Sequence, residues 1–516
     1  MALGGERGLW VLCIAFRLLN ALLVRTYFNP DEHWQALEVA HRIVFGYGHL
    51  TWEWNKGLRS YLHPLMFAAL YKMLAVLKLD TPWFMARSPR LFQSLIAAAG
   101  DVYLWKLSRR AFGDRVAKWT MFCQLVNWFT FFCMVRTLSS SIETVLTTIA
   151  LFYWSSPTID KHFGFMSNRQ LALCVAWISC AIRPTSAVIW LYVGIYHLYE
   201  CRDKFRYLLH EVLPIGCVIL GATFALDRIM YGKWIFVPLR FFQFNFLSGG
   251  GDFYGSHPWH WYFTQGFPAM AFTHLPLAVL GIWWSREWFL AGLVAWILFT
   301  YSLLGHKEFR FVLPALPLAM LFAGYSLASI EAGSKKIVKE KSGGRWPLKL
   351  TIILIGLLVS NAPTALYTSL VHQRGSEAVM EYLGKEATDQ RVESIAFLTQ
   401  CHATPFYSSL HKDLPMRFLD CSPSSDGGKD EASRFMEDPL AALSVMFGDG
   451  NVPSHIVFFD SLEDKLRPFL EARSYKLVKK VFHAHFPVDR ELQAYLCVFS
   501  TTKRPLSTAS ESFHSR

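Results

Sequence analysis

With 53% hydrophobic, 16% aromatic and only 17% charged residues, this 516-residue chain has too few charges for a soluble protein of its size. Several apolar windows reach bilayer-crossing length, so the composition describes a polytopic membrane protein. A net charge of +12 would suggest nucleic acid in a soluble domain. Here the basic residues lie in short loops between apolar segments, where they set topology. No aromatic-basic RNA motif or zinc-spaced cysteine set accompanies them, so nucleic acid is excluded as a partner.

The apolar run over 8–24 follows Arg7 and has no small-residue cleavage site after it, which predicts an uncleaved first membrane helix. It stops at Asn29-Pro30, because proline cannot continue a helix and biases Asn29 toward extended backbone. Asp31-Glu32 then open a new turn. With Asn29 or Asp31 as N-cap, residues 32–42 form a short amphipathic helix. Two readings of the acidic pair stand: a general base beside a lipid-facing cavity, or ordinary acidic residues in the first turn of a capped interfacial helix.

A loop rich in Trp and Tyr follows, and segment 61–79, with His63-Pro64, Lys72 and Lys78, is expected in the membrane interface. Residues 25–89 then form one non-cytoplasmic loop. With the amino terminus inside, this places the basic loops at 109–115, 200–206 and 335–345 on the cytoplasmic side; a spanning 61–79 is the alternative. Further spans are expected over 90–107, 116–135, 141–157, 170–182, 184–199, 208–230, 266–285, 288–305, 311–331 and 347–371, about eleven in all. Arg183-Pro184-Thr185 reads as a turn between two of them. Between spans, 231–265 is a second outer loop with Gly249-Gly250-Gly251 and Trp259-His260-Trp261, either a lid or an aromatic anchor.

Residues 1–371 thus form a membrane catalytic domain. Beyond it the composition changes: strands over 394–399, 455–460 and 492–499 and helices over 375–385 and 462–472 describe a small mixed α/β domain over 372–500, on the outer face. A polar loop at 422–431 interrupts it, and 501–516 reads as a disordered tail. Of the ten cysteines most sit in apolar segments as small hydrophobes; Cys401 and Cys421 could pair if their domain faces an oxidising compartment, or remain thiols.

Four charged clusters gather toward the non-cytoplasmic side: Asp31-Glu32-His33; Trp52-Glu53-Trp54-Asn55-Lys56-Gly57-Leu58-Arg59-Ser60-Tyr61; Arg136-Thr137-Leu138-Ser139 running to Glu143; and His306-Lys307-Glu308-Phe309-Arg310-Phe311. Ionisable groups so near hydrocarbon need partners or a cavity. Helical 306–310 would put His306 and Arg310 on one face, and three cations around one carboxylate suit a phosphate, with Glu308 orienting one of them. Snorkelling to headgroups is the competing account of Arg136 and Lys307. The chemistry that uses both signs is glycosyl transfer from a lipid phosphate sugar. A carboxylate, Asp31, takes the proton of the attacking hydroxyl, while Arg136, His306, Lys307 and Arg310 stabilise the departing phosphate. Metal is not needed for that division of labour, although a metal bridging Asp31-Glu32 is the alternative.

These stretches resemble the multispan mannosyltransferases of the GT-C fold, glycosyltransferase family 22. The acidic pair, Thr51-Trp52-Glu53-Trp54 with Arg59-Ser60-Tyr61, Arg136-Thr137-Leu138-Ser139 and the His-Lys-Glu-x-Arg-Phe box at 306–311 carry the likeness. Asn29-Pro30-Asp31-Glu32-His33-Trp34-Gln35, Cys401-His402-Ala403-Thr404-Pro405-Phe406-Tyr407 and Leu414-Pro415-Met416-Arg417-Phe418 are similar to the branch acting on glycosylphosphatidylinositol precursors. The resemblance implies dolichyl-phosphate mannose as donor, an α-1,2-linked mannose added to the second mannose of that precursor, and inversion at the donor carbon. It also implies a lumenal site in the endoplasmic reticulum membrane and no cofactor. Asp31 becomes the base with Glu32 as helper or alternative. His33, Trp34, Gln35, Trp54, Arg59 and Glu308 become orienting or acceptor-binding residues. Where the family often has Asn, this chain has Ser140. A sister enzyme of the dolichol-linked N-glycan precursor, a lipid or glycolipid transporter and an inactive scaffold are the rival readings.

Overall fold

A computed structural model describes residues 5–154, 167–247, 255–338, 348–423, 428–448, 452–487 and 493–501. The expected glycine run at 249–251, most of the basic loop at 335–345 and the tail beyond 501 lie outside them. The chain forms two compact units: Met1–Leu22, Lys56–His63 and Arg90–Leu366 make the first, and Leu23–Asn55, Pro64–Pro89 and Tyr367–Arg516 make the second.

The first unit is helical. Its innermost element is the helix Ala315–Val338, buried over residues 315, 316 and 318–323 and packed against both Asp114–Val126 and Leu275–Ser285. Glycines allow that closeness: a Cβ on Gly281 would lie 1.9 Å from the Phe322 carbonyl oxygen, and one on Gly324 would lie 2.4 Å from the Thr120 nitrogen. Ser139–Trp154 and Leu213–Tyr231 pack on Asn168–Ile182, and Ala187–Glu200 packs on Trp288–Ser302. Among the described residues four helices, Lys204–Tyr231, Tyr262–Ser285, Ala315–Gly333 and Leu348–Thr388, are long and apolar enough to cross a membrane. Lys204–Tyr231 is almost bare on the outside, with Val218 and Ile229 exposed, as are Trp283 and Val359 on other helices; such a surface suits lipid as solvent.

Two expectations change here. The single span expected over 116–135 is two helices, Asp114–Val126 and Trp128–Cys133. Asn127 divides them, its side-chain oxygen accepting from Phe129 N (3.1 Å) and Thr130 N (3.0 Å). The helix expected over 90–107 runs from Pro82 to Phe112 with Pro89 inside it. The break at Arg183 is as expected: its backbone is extended and Pro184 opens a short 3-10 turn.

Within this apolar bundle Arg17 and Asp101 form a fully buried two-pronged ion pair (2.6 and 2.9 Å). Gln124 also donates to Asp101 (3.0 Å), and Arg17 reaches the Thr130 carbonyl (3.1 Å) and Asn20 (3.1 Å). Buried charge is tolerated when its hydrogen bonds are met, and removing one partner strands the other. Asp101→Ala is therefore expected to destabilise the protein by about 3–5 kcal/mol, read as a lower melting temperature in detergent. A melting temperature equal to that of the wild type would refute the assignment.

The second unit is built on a five-stranded sheet of order β2-β1-β3-β5-β4, with β1 Ile395–Phe397, β2 Met416–Phe418, β3 His455–Phe459, β4 Lys476–Phe482 and β5 Tyr495–Ser500. β1 pairs in parallel with both β2 and β3, and β5 pairs antiparallel with both β3 and β4. Strand alternation sorts the core onto two faces. Ile395, Phe397, Val457, Phe459, Leu496 and Val498 face the helix Gly375–Thr388 and Trp34. Ala396, Ile456, Phe458 and Phe499 face Leu443, Phe447, Leu466 and Leu470. Two strands are additional to the three expected. β2 has only three residues, and β4 is an edge whose Lys476, Lys479 and Lys480 are exposed, a pattern that discourages further pairing. Cys401 and Cys421 are joined as a disulfide, with Cα atoms 6.0 Å apart.

The expected division at 371 assigned all of 25–89 to the membrane domain. Instead, residues 23–55 and 64–89 fold with the carboxy-terminal residues. Trp34, buried in the sheet's core, shows why: its apolar surface is satisfied only there.

Candidate active site

In the second unit, the chain after the first helix is tied down by main-chain bonds from Arg25 N to Ser369 O (2.8 Å) and from Tyr27 N to Gln373 O (3.1 Å). Asn29 then turns it: its side-chain oxygen accepts from Asp31 N (3.0 Å), and its carbonyl accepts from Glu32 N (3.2 Å). The helix that starts at Asp31 passes through a π-helical stretch, His33–Leu37, continues as Glu38–Phe45 and ends at Gly46, in the left-handed conformation.

Burial separates the acidic pair. Glu32 is fully buried, whereas Asp31 is half-buried and can be reached. Since Glu32, His33, Trp34 and Glu38 are all covered by protein, this is not a helix lying bare among headgroups. His33 stacks on Tyr27 with ring centres 5.5 Å apart. Burial, then the charges of Glu32 and Asp31, pushes the Tyr27 hydroxyl well above its ordinary range, so it stays a donor. Half-buried Gln35 donates to Glu53 and thereby links the acidic pair's helix to the short helix Trp52–Asn55, in which Trp54 is buried. Burial is also the main reason that His402 and His49 are pushed down to about 4, so both rings are neutral at physiological pH.

The cations belong to the first unit. The stretch 303–308 is not helical, contrary to the condition set for 306–310. Glu308 is extended, and a 3-10 turn begins only at Phe309. His306 and Arg310 converge all the same, on Glu308. Arg310 donates to both carboxylate oxygens (2.5 and 2.8 Å) and His306 Nε2 lies 3.0 Å from one. Burial works against the Glu308 charge, but the Arg310 guanidinium with its hydrogen bonds, and His306, hold that carboxyl well below the usual carboxylate range. Glu308 therefore orients two side chains, Arg310 and His306, rather than one. Its main chain is held in turn by the Tyr262 hydroxyl, which donates to Glu308 O (2.9 Å) and accepts from Glu308 N (3.1 Å).

Lys307 donates to the carbonyls of His257 (3.0 Å) and Leu304, and His306 Nδ1 lies 3.1 Å from Gly255 O, so the loop around 255–262 is fastened to this box. Arg136 is fully buried, donating from Nε to Phe132 O (2.9 Å) with its guanidinium 4.2 Å from the Phe132 ring centre. Exposures of 0% for Arg136, 3% for Lys307 and 5% for Arg310 exclude snorkelling, which needs the charged heads at the surface. Arg59 also falls in this unit; its carbonyl accepts from Tyr231 OH (2.6 Å), and the neighbouring Ser60 Oγ and Tyr61 N donate to Asp227 (3.1 and 2.9 Å).

One pair escaped the sequence reading. Arg183, taken only as part of a turn, lies 3.0 Å from buried Glu143, donates to Ser139 (3.2 Å) and stands 5.3 Å from the Phe311 ring centre. It thus links the helix beginning at Ser139 to the end of the His-Lys-Glu-x-Arg-Phe box. An arginine just before a helix-breaking proline, between two spans, was the available signal. Among the described residues no three His, Cys, Asp or Glu side chains come together as a metal-ligating set.

The Alg9-like mannosyltransferase family matches residues 8–411. Mannosyltransferase APTG1 of Arabidopsis thaliana is 53% identical over 509 residues, covering 96% of this chain and 92% of that protein. The GPI alpha-1,2-mannosyltransferase 3 of Homo sapiens is 42% identical over 497 residues (95% and 86%). The GPI mannosyltransferase 3 of Yarrowia lipolytica is 37% identical over 512 (95% and 96%). The chain belongs to the Alg9-like mannosyltransferase family.

Among solved structures, ArnT from Cupriavidus metallidurans bound to undecaprenyl phosphate is similar with a TM-score of 0.62, at 12% identity, covering 96% of this chain and 98% of that one. The archaeal oligosaccharyltransferase AglB from Archaeoglobus fulgidus, in complex with an inhibitory peptide and a dolichol-phosphate, gives 0.52 at 12% identity (97% and 75%). This mannosyltransferase accordingly has the GT-C fold, and it is a membrane glycosyltransferase. The family match takes in every candidate residue named above and closes at 411, beyond the disulfide-bonded Cys401.

Proposed function

We infer that this mannosyltransferase transfers mannose from dolichyl-phosphate mannose to a glycosylphosphatidylinositol precursor, forming the α-1,2-linked third mannose with inversion at the donor carbon. The observation that carries this is the 37–43% identity, over most of both chains, to proteins named GPI alpha-1,2-mannosyltransferase 3 or GPI mannosyltransferase 3. The reading places the reaction on the lumenal side of the endoplasmic reticulum, with about eleven spans and the carboxy-terminal domain in the lumen. The Cys401–Cys421 disulfide supports it, because such bonds persist in oxidising compartments.

In the proposed mechanism Asp31 takes the proton from the attacking mannose hydroxyl, with Glu32 as helper. The sugar passes through an oxocarbenium-like transition state, and the phosphate leaves as an anion beside Arg136, His306, Lys307 and Arg310. Glu308 holds Arg310 and His306 in place. His33, Trp34, Gln35, Trp54 and Arg59 orient the acceptor or the residues around it. Charge on the departing phosphate is met by these side chains, so no metal is assigned to the reaction.

The test is to supply labelled dolichyl-phosphate mannose together with the two-mannose precursor, with and without a chelator. The expected product releases its label to an α-1,2-specific mannosidase, at a rate changed less than about twofold by chelation. Transfer only to a dolichol-linked N-glycan precursor would overturn the acceptor assignment. Movement of lipid without transfer would favour a transporter, and loss of transfer on chelation would restore a metal at Asp31-Glu32.

A further inference from the structure

The motif 401–407 was singled out in the sequence yet, with the adjoining Ser408, has no part in the chemistry so far. Segment 401–408 is bonded at three successive points to the stretch that carries the acidic pair. Tyr27 OH donates to His402 O, and Trp34 Nε1 donates to Thr404 O (2.9 Å). One Glu38 oxygen accepts from Phe406 N (3.0 Å), Ser408 N (3.0 Å) and Ser408 Oγ (2.6 Å). Rings close the seam: Trp34 lies 4.1 Å from His402 and 5.0 Å from both Phe406 and Phe418, centre to centre. The Asp31 charge acts on the His402 ring. At its start the segment is pinned by the Cys401–Cys421 bond.

These fastenings flank the π-helical stretch His33–Leu37, with Tyr27 on one side, Trp34 inside it and Glu38 just beyond. A π stretch amounts to one extra residue in an α-helix and is uncommon without outside support. Relaxing it to α-helix would turn Asp31 and Glu32 by about 100° around the helix axis relative to residues 38–45. Glu38 is an expensive anchor for that purpose, a fully buried carboxylate with three donors on one oxygen.

We propose that segment 401–408 is a positioning element for mannosyl transfer, fastened at Glu38, which holds the π-helical register and so the direction in which Asp31 points. Glu38 is a positioning residue: it acts through Asp31. The proposal rests on Asp31 being the base, and the experiment separates the two claims. Full-length enzyme carrying E38A, E38Q, S408A or D31N is purified in detergent. Transfer is measured against both substrates, and folded protein is quantified by size-exclusion chromatography.

E38A is expected to lower kcat by about tenfold or more per folded molecule, a misplacement effect, with KM for dolichyl-phosphate mannose changed less than about twofold. E38Q keeps an acceptor oxygen at the same place and is expected to recover most of that loss. Should E38A not accumulate, S408A removes a single bond and is expected to lower kcat about threefold at unchanged donor KM. An inactive D31N beside E38A or S408A at wild-type kcat would overturn this inference alone. Losses in E38A and E38Q that match each other and follow the amount of folded protein would also overturn it. An active D31N would overturn the base assignment instead.

Discussion

Asp31→Asn is expected to abolish mannosyl transfer, lowering kcat by about 10²–10⁴-fold, the range general bases supply. The substitution keeps the size of the side chain and can still accept the contacts that fold the turn. Asp31 is half-buried, and the Asn29 side chain caps its backbone nitrogen, which the substitution leaves in place. The variant should accumulate and melt like the wild type. The equivalent change at Glu32 is expected to act differently, since a fully buried side chain is costly to disturb, so Glu32→Gln should show in stability as well as in rate. Full transfer by Asp31→Asn, with loss only in Glu32→Gln, would move the base one residue along.

Removing Arg310 is the second large effect. Arg310→Ala should lower kcat/KM for the dolichyl-phosphate donor by about 10²–10³-fold, comparable to losing one preorganised donor at a developing anion. It also leaves Glu308 without the guanidinium that offsets its burial. The Glu308 carboxyl is depressed in the folded state, so the stability it contributes is present above its ordinary value of 4.5 and is lost as pH falls through the folded one. The clamp is therefore intact throughout the neutral range in the wild type. The Arg310→Ala/Glu308→Gln double variant removes the stranded charge. It should regain the stability lost in the single variant without regaining donor use; recovery of donor use would make Arg310 a structural residue only. Arg310→Lys should rescue poorly, because one ammonium cannot reproduce two parallel bonds to the carboxylate.

The sequence was readable where a local physical signal was strong. Pro30 marked the start of a helix at Asp31, although the helix before it had already ended at Leu23, and Arg183-Pro184 marked a break inside an apolar stretch. The buried strands β1, β3 and β5 stood out as short apolar runs. What failed depended on a side-chain cap or on distant partners. Asn127 divides a span that hydropathy alone reads as continuous, because its cap is a hydrogen-bond event in an apolar setting. β4, with its three exposed lysines, reads as loop until the neighbouring strand is known. Expected helical geometry for 306–310 was wrong, yet the meeting of His306 and Arg310 was right, since opposite charges chose Glu308 through an extended backbone. The largest miss was Trp34 and Glu38: nothing local in 31–38 says that its partners lie at 402–408.

That separation has a consequence for how the enzyme is made. Glu38 meets Ser408 across 370 residues of chain, nearly all of which must be synthesised and inserted first. At about 5–20 residues per second, the newborn acidic helix waits roughly 20–70 s before its anchor emerges. Throughout that interval Trp34 has no core to enter and the Glu38 carboxylate has no donors from 406–408, which makes this stretch a natural client for chaperones. A message truncated anywhere before codon 408 would then yield a protein that enters the membrane but never assembles its amino-terminal helix.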